Sequence, residues 1–150
     1  MMKRFIIWTI LLALLGSSGT TGSTIDENEP YLKVSTSPDE IDLGMASFFL
    51  GIHEAPGALK VGIETNFWHG PVLISTTPLK NGTRGKIEPE NIFVRTSSLG
   101  QYVSLKKPVM IMPTAAGSQE VVVDFKVHAG LNNPSGQYEG TITLTVAPPV

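Results

Sequence analysis

The sequence of 150 residues contains no cysteine. Disulfide bonds, thiolate metal sites and cysteine-linked N-terminal lipids are therefore excluded. Small exported domains often use disulfides to compensate for small hydrophobic cores. If this chain is exported, its fold must be held together by side-chain packing and backbone pairing alone.

Clusters of positive charge are also scarce. The chain carries 11 Lys and Arg residues against 13 Asp and Glu residues, a formal net charge of −2. After Lys3 and Arg4, the only adjacent basic pair is Lys106–Lys107. Proteins that bind nucleic acids present basic patches to the phosphate backbone. The sequence therefore predicts no nucleic-acid partner.

Motifs that would indicate catalysis or metal binding are missing. The three histidines, His53, His69 and His128, do not have the spacing of a metal-binding pair. No Gly-x-Ser-x-Gly motif is present. The acidic runs at 26–29 and 39–42 do not match a calcium-binding loop, and solvated acidic runs are favoured over a calcium site. We predict no catalytic residue, no metal, no cofactor and no enzymatic activity.

The N-terminus has the pattern of a secretory signal peptide. Lys3 and Arg4 precede the apolar run 5–15, which only Thr9 interrupts, and small polar residues follow. A membrane anchor is the alternative, but it needs about 20 apolar residues. We predict a signal peptide at 1–24, cleaved between Gly16 and Thr24. The protein is then secreted to the extracellular space, cell surface or periplasm, without membrane insertion after cleavage.

After this segment the apolar residues recur with a period of two. The clearest examples are 59–65, 92–96, 121–127 and 142–146, and Gly, Pro and Asn-rich turns separate these runs. Residues 44–55 are ambiguous, and the apolar triplet 48–50 suggests a contact surface or a loop over an open end. The pattern predicts an all-β, antiparallel, immunoglobulin-like sandwich of about 7–9 strands at 31–150, after a flexible acidic segment at 25–30. A closed barrel is the alternative.

The stretch "SGQYEGTITLTV" at 135–146 predicts the last strand. Tyr138 follows a turn that contains Gly136, as in a tyrosine corner, where a buried tyrosine bonds a nearby backbone group. Gly140 permits a bulge or a close neighbouring strand. We expect these three residues to have structural roles.

Two features resemble secreted bacterial immunoglobulin-like modules, including subunits of the pilus and spore-coat kind. They are the closing pattern Pro-x-Gly-x-Tyr-x-Gly-Thr-Ile-Thr-Leu-Thr-Val and the segment "IDLG" followed by "ALKVGIETN" with an aromatic residue soon after. The resemblance covers about residues 31–148, although disulfide-bearing pilins contain cysteine and this chain does not. It implies a structural or adhesive role at the cell surface or in the periplasm.

The sequence suggests two modes of binding. Tyr31, Leu32 and Val34 could add as a strand to a second copy or to another surface protein; the alternative is that they form the first strand of their own domain. Phe67, Trp68 and His69 precede Gly70, and such aromatic loops often contact a glycan or a protein partner. A core position for Trp68 is equally compatible with the pattern.

Overall fold

The computed structural model describes residues 3–14, 29–46 and 51–147, with the backbone alone for 3–14 and 44–46. These residues form β-strands and one short 3₁₀ helix, Pro89–Asn91. No helix in these ranges is long and apolar enough to cross a membrane. The strands are β1 (Lys3–Leu14), β2 (Leu32–Ser37), β3 (Ile41–Ala46), β4 (Ile52–Thr65), β5 (Trp68–His69), β6 (Val72–Thr76), β7 (Leu79–Asn81), β8 (Gly85–Ile87), β9 (Ile92–Arg95), β10 (Val103–Ser104), β11 (Val109–Met112), β12 (Ala115–Ala116), β13 (Gln119–His128) and β14 (Gln137–Val146).

The strands form two large sheets and one two-stranded sheet. One large sheet has the order β11-β6-β14-β1-β3, with β7 paired to β14 and β8 paired to β7. The other has the order β10-β9-β13-β4-β2, and β12 pairs with β5. All described pairs are antiparallel except β1 with β14. The all-β prediction is therefore confirmed, and the arrangement is consistent with a sandwich.

Both large sheets contribute to one hydrophobic core. Val61 and Phe125 come from the five-stranded sheet, whereas Ile74 and Leu144 come from the other, and all four are fully buried. Their neighbours along each strand are partly or fully exposed, which is the expected result of period-two alternation. Each fully buried Leu, Ile or Phe side chain contributes about 1.5–3 kcal/mol through burial.

One predicted turn lies inside a strand. The sequence suggests a break at Pro56-Gly57, but β4 runs through it from Ile52 to Thr65. A register shift on β13 between Val123 and Phe125 faces this point. Gly57 has φ +63° and donates its N–H to the side chain of Asp124 at 2.7 Å. A β-bulge therefore absorbs the turn residues, and Asp124 replaces the lost ladder acceptor.

The predicted signal peptide contributes β1. This strand pairs in parallel with β14, from Arg4 opposite Gln137 to Leu14 opposite Val146. On its other side it pairs antiparallel with β3 along its whole length, from Ile41 to Ala46. Cleavage of the segment stays a prediction. The predicted cleavage region, residues 25–28 of the acidic segment and the apolar triplet 48–50 lie outside the described residues.

Candidate functional site

Phe67 and Trp68 lie at the end of the sandwich where β4 ends, which we call the Trp68 end. The two side chains are 36% and 61% exposed. The short strand β5 pairs with β12, with Trp68 opposite Ala116. Thr65 fixes the preceding turn, because its hydroxyl oxygen accepts the N–H of Phe67 at 3.2 Å. The two aromatic rings are thus presented to solvent on an anchored turn.

His69 does not share that exposed surface. It is 1% exposed, as alternation along β5 requires if Trp68 faces outward. Its Nδ1 lies 2.7 Å from the carbonyl oxygen of Gly70. Its Nε2 is buried without a hydrogen-bond partner. Of the three residues predicted for binding, Phe67 and Trp68 are accessible and His69 belongs to the interior.

The predicted strand-addition residues pair within their own chain. Leu32 lies opposite Thr65 and Val34 opposite Ile63, so β2 forms the edge of the five-stranded sheet beside β4. The backbone N–H of Tyr31 donates to the side chain of Asn66 at 3.0 Å. To serve another copy as a donor strand, this segment would have to leave β4.

Tyr138 is fully buried at the start of β14. Its hydroxyl donates to the carbonyl oxygen of Pro134 at 2.7 Å, four residues upstream. Burial raises the pKa of the Tyr138 phenol. Gly136, with φ +147°, packs against Asn81. These contacts have the form expected of a tyrosine corner.

Gly140 lies beside the link between β6 and β7, two strands that both pair with β14. A Cβ atom at this position would be 2.7 Å from Cδ2 of Leu79 and 3.2 Å from the carbonyl oxygen of Pro78. The hydroxyl of Thr77 accepts the backbone N–H of Thr141 at 2.9 Å. The missing side chain thus permits the close approach of a neighbouring segment.

A cluster of charged and aromatic side chains covers the outer face of β9, β10 and β13. We call it the cation–aromatic face, formed by Phe93, Arg95, Tyr102, Asp124, Lys126 and His128. The ammonium of Lys126 lies 4.3 Å from the ring centre of Tyr102 and 5.3 Å from that of Phe93. The guanidinium carbon of Arg95 lies 4.5 Å from the Tyr102 ring centre. Cations in such positions are attracted by the ring quadrupole.

Hydrogen bonds hold the carboxylate of Asp124 in place on this face. Arg95 donates to Oδ2 of Asp124 through Nε at 3.0 Å and through Nη2 at 2.8 Å. The N–H of Gly57 is the largest influence that lowers the pKa of Asp124, and Arg95 adds to it. An open groove of about 620 Å³ adjoins the pair and is also lined by Ser97, Gly100 and Glu120.

The alternation along β13 predicts a solvated row at Asp124, Lys126 and His128. It does not reveal that Phe93 and Arg95 lie opposite Lys126 and Asp124 on β9. Within this face the hydroxyl of Tyr102 and Nε2 of His128 are buried without hydrogen-bond partners. The cluster forms because of the register between β9 and β13, two strands that are distant in the sequence.

In the residues that the structure describes, no group of three or more His, Asp and Glu side chains could hold a metal ion. No protein-family model matches the chain, and no curated protein matches it.

Proposed function

We propose that this protein is a non-catalytic, secreted, immunoglobulin-like sandwich with a structural or adhesive role at the cell surface or in the periplasm. It assembles by strand addition between copies. The observation that carries this proposal is the pairing of β3. In the described residues β1 is its only sheet neighbour, and β1 comes from the predicted leader. Because the strand beside β3 comes from the leader, a strand from another chain can pair with β3 in its place.

The sheet order supports the immunoglobulin-like assignment. Strands β9-β13-β4-β2 have the order D-E-B-A of such folds, and β6 beside β14 corresponds to C beside F. The tyrosine corner at Tyr138 supports strand F, because that tyrosine lies near the start of F. Strand β11 departs from this scheme, since it follows β9 in the chain but adds to the edge of β6.

Light scattering of the purified protein over a wide concentration range tests the proposal. Self-assembly predicts an average mass that grows with concentration. A strict monomer at every concentration would contradict it and would favour the second candidate, a monomeric module that binds a glycan or a protein. The exposure of Phe67 and Trp68 supports that candidate, because aromatic side chains on anchored turns are common contact residues.

A further inference from the structure

The amide side chain of Asn81 is held against the turn that precedes Tyr138. Asn81 is the last residue of β7, and its Nδ2 donates to the carbonyl oxygen of Ser135 at 3.3 Å. Gly136 leaves room for this amide, because a Cβ atom there would overlap it. Burial raises the pKa of the Tyr138 phenol, and a hydrogen bond with the Asn81 side chain opposes that rise. We call this arrangement of Asn81, Ser135, Gly136 and Tyr138 the Asn81 clasp.

Strand β8 adds further contacts between the same hairpin and the same loop. At Gly85 an added Cβ atom would lie 2.8 Å from Cδ of Pro134 and 3.2 Å from the hydroxyl oxygen of Tyr138. The carbonyl oxygen of Lys86 accepts a hydrogen bond from Nδ2 of Asn133 at 2.9 Å. The β7–β8 hairpin and the tyrosine corner therefore pack as one unit.

The residue after Asn81 gives its amide a specific reactivity. Asn81 and Gly82 form the only Asn-Gly pair in the sequence. Glycine has no side chain to hinder its backbone nitrogen, so this nitrogen can attack Cγ of Asn81. The new N–C bond closes a cyclic succinimide, and the amide nitrogen of Asn81 leaves as ammonia with the proton of the Gly82 N–H. Water then opens the ring to aspartate or isoaspartate, so the net reaction consumes water and releases ammonia.

The folded structure restrains both groups that must react. The backbone of Asn81 is paired with Gly85, and its carbonyl oxygen accepts the N–H of Arg84 at 2.9 Å. To close the ring, the side chain must leave Ser135 and turn toward the nitrogen of Gly82. Local openings of this kind occur in native proteins and require less free energy than global unfolding. The space around Gly82 is open, so the clasp alone restrains the reaction on this side.

We propose that Asn81 is a deamidation site that the tyrosine corner protects. It reacts only when the Asn81 clasp opens, and the product then prevents the clasp from closing. An aspartate has no N–H to donate, so its oxygens would face the carbonyl oxygen of Ser135. Isoaspartate also lengthens the main chain within β7 and disrupts the pairing with Gly85. This inference goes beyond the proposed function, because it concerns a covalent change that makes a local opening irreversible.

Peptide mapping by mass spectrometry measures deamidation at Asn81 over time at mildly alkaline pH. The reference is the same full-length chain unfolded in urea. We expect the folded protein to react at least about tenfold more slowly, because the hydrogen bonds of the clasp must break first. Equal rates in the two states would overturn the protection. In urea, Gly82→Ala should slow the reaction, and an unchanged rate would overturn the attack by the Gly82 nitrogen.

Two variants distinguish opening of the clasp from global unfolding. Tyr138→Phe removes a hydroxyl that the clasp contains, so it should accelerate deamidation of the folded protein about fivefold. Gly117→Ala is the matched control, because Gly117 has a positive φ and open space around it and lies outside the clasp. It should destabilise the protein without changing the rate at Asn81. Equal acceleration by both variants would assign the reaction to global unfolding, and no acceleration by Tyr138→Phe would exclude protection by the tyrosine corner.

The effect of the product is tested with Asn81→Asp, which reproduces the aspartate form. Asn81→Ala is the control, because it removes the donor without adding a charge. Both variants should unfold at lower urea concentration than the unmodified protein, and Asn81→Asp should have the lower midpoint because its carboxylate faces the Ser135 carbonyl. A midpoint of Asn81→Asp at or above that of Asn81→Ala would overturn the blocked closure. None of these measurements depends on assembly between copies.

Discussion

At the scale of single residues, two tyrosine hydroxyls differ in what they contact. The hydroxyl of Tyr138 donates to Pro134, whereas that of Tyr102 is buried without a hydrogen-bond partner. Tyr138→Phe should lower the free energy of unfolding by about 1 kcal/mol, or about 3 °C in Tm. Tyr102→Phe should leave stability unchanged or raise it, because the ring keeps its cation contacts. Urea titration measures the free energy of unfolding of both variants. Equal losses of this free energy would contradict the tyrosine-corner role of Tyr138.

Alanine substitutions at two glycines with positive φ distinguish the cost of backbone strain from the cost of a steric clash. Gly51 has φ +59°, and a Cβ there would lie 2.6 Å from the carbonyl oxygen of Ala129. Gly117 has φ +75° and open space around it. Gly117→Ala should cost about 1 kcal/mol from the left-handed backbone. Gly51→Ala should cost at least about 2 kcal/mol, because the carbonyl must also shift. Thermal unfolding of the two variants measures the difference in their stability losses. Equal losses would show that the carbonyl of Ala129 moves away from the new Cβ atom without cost.

Trp68→Ala tests whether the Trp68 end makes the contacts between copies. Since 61% of this side chain is exposed, Trp68→Ala should change the free energy of unfolding by less than about 0.5 kcal/mol. If copies assemble by strand addition, the variant should form oligomers as the unmodified protein does, measured by light scattering at equal concentrations. Loss of assembly with unchanged stability would instead assign the contact to the Trp68 end.

At the scale of the elements, the strands of the cation–aromatic face make stability depend on pH. Burial, followed by the charge of Lys126, lowers the pKa of His128, whose ring lies 4.7 Å from that of Phe93. The unfolded chain, with a histidine pKa of about 6.5, therefore binds the proton more tightly than the folded protein does. Stability should be highest above pH 6.5 and should fall as the pH decreases below it.

His128→Gln should reduce the loss of unfolding free energy between pH 7.5 and pH 5.5, measured by urea titration. His53 contributes in the same direction, because burial lowers its pKa and the opposing effect of Asp42 is smaller. Some pH dependence should therefore remain in the variant. An undiminished pH dependence in His128→Gln would show that this face does not disfavour the charged imidazole.

Strand β4 shows which part of an element a sequence pattern can predict. The alternation of Leu59, Val61 and Ile63 predicts the core half of β4, because period-two burial is a local property of a strand. The other half of β4 is not predictable in this way. Pro56 and Gly57 are turn residues by local preference, but they lie within β4, where Asp124 of β13 accepts the N–H of Gly57. That acceptor lies far away in the sequence.

At the scale of the whole molecule, β3 depends on a strand from the predicted leader. In the described residues β1 is the only sheet neighbour of β3. Deletion of residues 1–24 should therefore leave the facing edges of β3 and β14 unpaired.

Hydrogen exchange measures this effect. In the chain without residues 1–24 the backbone amides of β3 and β14 should exchange faster than in the full-length chain, while those of β13 and β4 keep their protection. Unchanged protection of β3 after the deletion would show that β3 does not depend on β1.

The sequence by itself determined that the chain after residue 31 consists mainly of strands, because alternation and turn residues act over a few neighbouring positions. It did not predict β1 as a strand, nor the course of β4 through Pro56 and Gly57. It also determined the cysteine-free core and indicated the close approach at Gly140. The tertiary structure alone decided that Trp68 faces solvent and His69 the interior, and that Phe93 and Arg95 complete a cluster with β13. It alone placed an apolar N-terminal run beside β14. The physical reason is that register and strand order depend on which distant edges pair, and no local pattern encodes that choice.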